Sequence, residues 1–573
     1  MDEGVLTSFS KYLGDHFRSN SKSCTQVVYV YYYNIDKKKF KLWRKCLEEI
    51  EKRAVTPGEL GFDSTKFPEY RNGQYEAALR ASATDKKLFL VEAPTGVGKS
   101  LLGLTSHALL ERPRAAYLVS TKQLQDQLVS DFNLPVLKGR NNYPCLHFKA
   151  LFPDVTSEIC REYLGDRKCD FEADCPYLVQ KREALMAPIC ILNYPLFLTE
   201  ANYVGGFSGL KYLVLDEIDT VEDHLMSFIE VPITQGLMKR LKTGIPEFKT
   251  KVDAWRGWAK KVKDKITDEI SNVEPRGEAD VRSLRELIRL RRTLRRIDFL
   301  IENLDESWVM ELEDIDSAST VPVTFKPVKV DSYASNFLWD HTEKALGMSA
   351  TVMGAASMAV DLGLHSWDVD SVSLDSPFPV ESRKIEYIPI ASVTHKTKEQ
   401  AYPKLNWAVE AVLRKHPNDK VLLHSVSYDL RNYFVQHLSL RYHRMFTHDS
   451  KDRAEVLGKF KGYNGPAVLV SPSMGRGVDL PGDLCRVIIV AKVPYPNLVS
   501  PQVNKRLHSF SDGSLWYARR TARTLVQMTG RATRSVDDWS VSYILDSQFG
   551  ELVARSGNLF PSWWRLAVKS GNL

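Results

Sequence analysis

The run Lys87-Leu-Phe-Leu-Val-Glu-Ala-Pro-Thr-Gly-Val-Gly-Lys-Ser100 decides the fold. Its first six residues form a short apolar stretch that reads as a buried strand, and residues 100–111 continue with helical spacing. Between them lies A-x-x-x-x-G-K-S, made of Ala93, Pro94, Thr95, Gly96, Val97, Gly98, Lys99 and Ser100. Gly96 and Gly98 let backbone N–H groups turn inward around phosphate oxygens. The helix that follows adds its positive N-terminal end. Lys99 is expected to reach the β- and γ-phosphates of a bound ATP, and Ser100 to hold Mg²⁺. The strand–loop–helix context separates this loop from a chance glycine-rich turn.

Leu210–Leu215 is a second apolar strand, and Asp216 and Glu217 follow at its end. Asp216 is expected at the Mg²⁺ hydration shell, and Glu217 is expected to orient and deprotonate the attacking water. An acidic pair after a strand is common as a plain turn; the loop upstream gives this one its meaning.

The chain of 573 residues is long enough for several cored domains. Its net charge of +7 is a mild bias toward polyanionic partners and is weak evidence alone. No stretch reaches the ~20 apolar residues of a membrane helix, and Val27–Tyr33 reads as a short buried strand. The N-terminus lacks a basic region followed by an apolar core, so an intracellular protein with reduced thiols is expected, neither secreted nor membrane-bound. Residues 1–60 carry no readable chemistry beyond that strand, a basic run (37–45) and a helix (41–53). Cys24, Cys46, Cys190 and Cys485 are scattered and read as core residues.

Further motifs follow in the order of a superfamily 2 helicase. Gln74, in Arg71-Asn-Gly-Gln74, stands where such motors read adenine. Ser120-Thr121 with Gln125 and Gln127 resembles a segment that grips the nucleic-acid backbone. Gly347-Met-Ser-Ala-Thr-Val352 resembles the motif that couples hydrolysis to strand movement. Val421–Ser427 looks like the first strand of a second motor domain. Gly475–Gly482, with Asp479 as a nucleotide-site candidate, looks like the fifth motif. Gln527-Met-Thr-Gly-Arg-Ala-Thr-Arg534 looks like the sixth, with Gln527, Arg531 and Arg534 as catalytic candidates. A guanidinium reaching across the cleft stabilises charge on the transferring phosphoryl group. The bland reading makes one of these arginines a surface or DNA contact.

Between the phosphate loop and the acidic pair lie Cys145, Cys160, Cys169 and Cys175, spaced C-x14-C-x8-C-x5-C and closed by Pro176. Four thiolates in a reduced compartment suit Zn²⁺ or an iron–sulfur cluster. The absence of paired C-x₂₋₄-C knuckles and the closing proline favour iron–sulfur. Lys138-Gly-Arg-Asn-Asn-Tyr-Pro-Cys145, Cys175-Pro-Tyr177, Ile191-Leu-Asn-Tyr194, Ser376-Pro-Phe378 and Val493-Pro-Tyr-Pro496 together resemble the XPD/DinG family of iron–sulfur helicases, over roughly residues 65 to 550. The resemblance implies an α/β fold of two RecA-like parallel-sheet motor domains, with an inserted cluster domain and an inserted helical arch. It implies a [4Fe–4S] cluster on the four cysteines and 5′→3′ translocation on single-stranded DNA. It also implies unwinding of forked DNA in repair, replication or recombination.

The domain expectation runs: accessory segment 1–60; first motor domain 61–137, 190–232 and 326–375; cluster domain 138–189; arch 233–325; second motor domain 376–573. Trp255, Trp258, Val262, Ile266 and Ile270, then Leu284 through Leu304, recur at helical spacing and predict an antiparallel hairpin for the arch. Its second helix carries seven arginines, including Arg289, Arg291 and Arg292, that suit either phosphates or nearby acids. Trp563-Trp564 reads as core packing, with base stacking the lesser reading.

One departure stands out. Asp219 occupies the place where the family usually has histidine, and an ionised carboxylate accepts hydrogen bonds without donating. This puts the coupling of hydrolysis to unwinding in question. The expected protein is a monomeric ATP-dependent DNA helicase using ATP, Mg²⁺ and a [4Fe–4S] cluster. The rivals are an RNA or RNA–DNA hybrid helicase and an ATP-switched clamp that does not unwind.

Overall fold

A computed structural model of the protein describes residues 55–149, 152–164, 168–273, 280–312, 322–475, 480–530 and 538–572. The strand expected at 27–33, the helix at 41–53, Cys24 and Cys46 lie outside these residues. Among these residues, one compact unit takes in 55–85 and Leu101–Glu111, and the other takes in Lys86–Ser100 and the described residues from Arg112 onward. In the first, helix Gln74–Ala83 begins after Gly73, whose φ of 75° uses glycine's freedom.

The second unit is built on two parallel sheets. The first runs β3 (Ile189–Asn193), β2 (Ala115–Val119), β4 (Leu210–Asp216), β8 (Thr342–Ser349), β1 (Leu88–Glu92), β9 (Val369–Ser373). Its inner strands are near-continuous apolar runs, and Leu88–Val91 and Leu213–Leu215 are fully buried. Parallel strands covered on both faces select that composition. The register sets Glu92 opposite Ser349 and Asp216 opposite Met348. The carboxyl ends of β1, β4 and β8 therefore form one ledge, where α/β sheets place their ligands.

The second sheet runs β12 (Arg444–Thr447), β13 (Ala467–Ser471), β11 (Lys420–His424), β14 (Val487–Val490), β15 (Ser540–Asp546), β10 (Arg383–Ala391), β16 (Val568–Ser570). The strand at Val421 is thus not the first of this sheet, because β10 precedes it and pairs with β15. Trp563 and Trp564 are buried, and Trp564 Nε1 donates to Thr529 Oγ1 at 2.7 Å, which makes the pair core. Cys190 and Cys485 are buried, as expected.

Helices Val252–Asn272 and Val281–Asn303 form the expected hairpin. Arg256, near the start of the first, donates to Leu304 O beyond the end of the second at 2.5 Å. Arg240 joins Glu269, late in the first helix, to Glu286, early in the second, so the two run antiparallel. Trp255, Trp258, Val262 and Ile266 face Leu290, Ile297 and Leu300 in one apolar core. At the hairpin's base lies an antiparallel sheet that the sequence did not announce: β5 (Val231–Ile233), β7 (Val323–Pro327), β6 (Trp308–Leu312).

Candidate nucleotide site and cysteine cluster

The phosphate loop leaves the end of β1, and Gly96 and Gly98 hold φ values of 87° and 82° there. Those left-handed conformations are what the loop needs glycine for. Gly96 has a second constraint, since a Cβ on it would lie 2.2 Å from Cζ of Phe378. Lys99 Nζ donates to Ala93 O at 3.4 Å, which folds the lysine back over its own loop. Helix Lys99–Leu109 begins at Lys99 and points its N-terminal N–H groups toward the loop.

Asp216 is buried at the tip of β4, and its Oδ1 accepts from Glu217 N at 3.0 Å. Burial raises its carboxyl to about 7, against the pull of Lys99 and with the repulsion of Glu217 added. A divalent cation beside this carboxyl would favour its charged form. Glu217 adopts φ 51°, an uncommon conformation for a non-glycine residue. Its Oε2 accepts from Ser120 Oγ at 2.9 Å, and Thr220 Oγ1 donates to its carbonyl at 2.8 Å.

Ser120 therefore touches the catalytic candidate Glu217. Thr121 caps helix Lys122–Phe132 by accepting from Leu124 N at 3.3 Å. Gln125 is buried and its Nε2 donates to Leu137 O at 3.3 Å, so it serves packing and does not grip a nucleic-acid backbone.

Asp219 is the hub of the site. Its carboxylate accepts from Ser349 Oγ at 2.7 Å, Thr351 Oγ1 at 3.0 Å and Gln527 Nε2 at 2.7 Å. Its backbone carbonyl accepts from Arg523 Nη1 at 2.9 Å. The three side-chain partners are donors, so an acceptor-only carboxylate suits this place. His224 stacks on Tyr194 with ring centroids 4.8 Å apart and does not replace the family histidine. Arg523 and its neighbours on helix Gly513–Thr529 went unnoticed in the sequence, where their only signal was helical spacing ahead of Gln527.

Among the nucleotide-site candidates, residues 93–100, Asp216, Glu217 and Gln527 gather on the ledge of the second unit. Gln74 lies in the first unit, buried, with its Oε1 accepting from Arg71 N at 2.9 Å. Asp479, Arg531 and Arg534 lie outside the described residues.

The four cysteines share one small subdomain. Cys145 and Cys160 place their sulfurs 3.1 Å apart. The Cys160 thiol is pushed up by its contact with Cys145 and by burial, with smaller contributions from Cys175 and Cys169. Cys175 sits at the N-cap of helix Pro176–Met186. Among the described residues no three Cys, His, Asp or Glu side chains are gathered closely enough for a single metal ion. Four thiols are the donor type that a thiolate-held cluster uses.

The arch helix closes this subdomain from outside. Leu284 shares an apolar core with Cys145, Phe148, Val155 and Ile159. Arg291 pairs with Glu162 and Arg292 with Glu158, both at 3.1 Å. For these two arginines the acid-pairing reading holds.

Comparison with known proteins agrees with this geometry. The DEAD/DEAH box helicase family matches residues 71–250, and the helicase C-terminal domain family matches residues 409–567. A probable ATP-dependent helicase of Methanocaldococcus jannaschii, MJ0942, is 23% identical over 86% of this chain and 94% of its own length. The ATP-dependent DNA helicase CHL1 of Candida glabrata is 26% identical over 18% of this chain and 14% of its own length. Among solved structures, an XPD helicase aligns at TM-score 0.59 and 16% identity, covering 88% of this chain and all of its own. The Xpd4 structure from S. tokodaii aligns at TM-score 0.54 and 16% identity with the same coverage of this chain. No helix among the described residues is long and apolar enough to cross a membrane. Two motor sheets, a phosphate loop with its acidic pair, and the two helicase family matches identify an ATP-dependent helicase, and the shared fold supports an XPD/DinG-like superfamily 2 assignment.

Proposed function

We propose that this ATP-dependent helicase acts on DNA, moves 5′→3′ along a single strand and opens duplexes ahead of it. The observation that carries the motor reading is Asp219. One carboxylate binds the Ser349–Thr351 segment of the first motor domain and Gln527 of the second. A change at the phosphates can thus reach both domains. DNA as substrate draws on the likeness to CHL1, and the polarity on the XPD/DinG resemblance.

In this reading the loop 93–100 cradles the phosphates, Lys99 offsets their charge, and Glu217 takes the proton of the attacking water. Ser100 and Asp216 would hold Mg²⁺, which neutralises charge on the phosphate oxygens when bound. Arg531 and Arg534 are proposed to face the transferring phosphoryl group, with Gln74 on the adenine. Cys145, Cys160, Cys169 and Cys175 would hold a [4Fe–4S] cluster, a rigid centre for an insert whose own apolar core is small. A clamp that never unwinds drew its support from Asp219; the cross-domain bonds of that residue favour the motor reading over it.

The test compares ATP hydrolysis in the presence of single-stranded DNA and of RNA of the same sequence, with Lys99→Ala as control. Stimulation by DNA well above that by RNA, absent in the control, supports the reading. Preference for RNA would overturn the substrate assignment.

A further inference from the structure

Helix Gly513–Thr529 holds the chain that follows the acidic pair along three of its turns. Trp516, Arg520, Arg523 and Gln527 recur at helical spacing on one face. Trp516 Nε1 donates to Glu222 Oε1 at 3.0 Å. Arg520 Nη1 donates to Glu222 Oε2 at 3.2 Å, and its Nη2 to Asp223 Oδ1 at 2.7 Å. Arg523 and Gln527 then take the carbonyl and carboxylate of Asp219. The segment held, residues 217–223, begins with Glu217 in its left-handed conformation and continues through the short turn Ile218–Thr220.

This arrangement links two motor domains at one place. Glu222 and Asp223 lie on helix Val221–Ile229, directly after β4 of the first sheet. Arg520 lies between β14 and β15 of the second. A guanidinium that forks to two carboxylates fixes orientation as well as distance, which a lysine ammonium does not. The direction of the Glu217 side chain depends on where the turn after it is anchored, and Arg520 supplies a charged anchor from the opposite domain.

We propose that Arg520 is a positioning residue for hydrolysis: through Glu222 and Asp223 it fixes the turn bearing Glu217 to the second motor domain. ATP hydrolysis then depends on how the two domains stand. The inference rests on the proposed role of Glu217.

The test uses the full chain with saturating single-stranded DNA. It measures kcat and KM for ATP, and the thermal midpoint, in Arg520→Gln, Arg520→Lys, Glu222→Gln, the Arg520→Gln/Glu222→Gln double variant and Glu217→Gln. Arg520→Gln is expected to lower kcat about tenfold with KM within about twofold and an unchanged midpoint. Arg520→Lys should recover part of the loss, and the double variant should be no slower than Arg520→Gln. Normal kcat in Arg520→Gln, a change in KM alone, a loss matched by a lower midpoint, or additive losses in the double variant would each overturn the proposal. Should Arg520→Gln fail to fold, Glu222→Gln decides in the same way. Glu217→Gln separates the two readings. If it hydrolyses ATP normally, the role of Glu217 fails and this proposal with it; if it is inactive while Arg520→Gln is normal, only this proposal fails.

Discussion

Gln527 donates from Nε2 to Oδ2 of Asp219 at 2.7 Å, across 308 residues of chain. The bond joins the acidic motif of one motor domain to the sixth motif of the other. It accounts for the departure from the family histidine, because Ser349, Thr351 and Gln527 all present donors to this position.

Asp219→His, although it restores the family residue, is therefore expected to impair the motor. A neutral imidazole has one acceptor for three donors, and each buried group left unpaired costs about 1–3 kcal/mol. Steady-state ATPase assays should show kcat in single-stranded DNA reduced about tenfold or more. Activity equal to the parent would show that the network does not matter for coupling.

Glu217→Gln preserves shape and removes the base. Loss of a general base typically lowers the rate about 10²–10⁴-fold. ATP binding, followed with a fluorescent analogue, should persist, since Lys99 and the loop are untouched. Lys99→Ala should instead weaken the binding itself.

The cysteine insert makes a compositional prediction. Protein purified without air should carry iron and sulfide, and Cys145→Ser or Cys175→Ser should lose both together with visible absorbance. Stoichiometric zinc in a colourless protein would contradict the cluster.

Leu284 belongs to the arch helix yet is buried with Cys145, Phe148, Val155 and Ile159. Leu284→Ala is expected to cost about 2–5 kcal/mol at that core, seen as faster amide exchange and faster proteolysis in residues 145–160. Arg291→Ala and Arg292→Ala, in half-exposed ion pairs, should change stability by less than about 1 kcal/mol.

What the sequence showed was local. Leu88–Val91 and Leu213–Leu215 are continuous apolar runs flanked by phosphate-site residues, so strand, loop and acidic pair could be read in short windows. The hairpin was legible because its tryptophans and leucines keep one period over 21 and 23 residues. β10 was missed because Arg383–Ala391 mixes charges with apolar residues and carries Pro389. The basal sheet was missed because β5 has only three residues and finds β7 beyond the whole hairpin. Arg520 looked like any surface arginine, since Glu222 and Asp223 lie 298 and 297 residues away. Gln125 was misread because its motif position is polar, whereas its amide caps Leu137 O in the interior.

The most direct test of the account is ATP-dependent strand separation on two duplexes, one with a 5′ single-stranded tail and one with a 3′ tail, using protein purified without air and Lys99→Ala as control. The account predicts that only the 5′-tailed duplex opens and that the control opens neither. Opening of only the 3′-tailed duplex, or ATP turnover with neither opened, would contradict it.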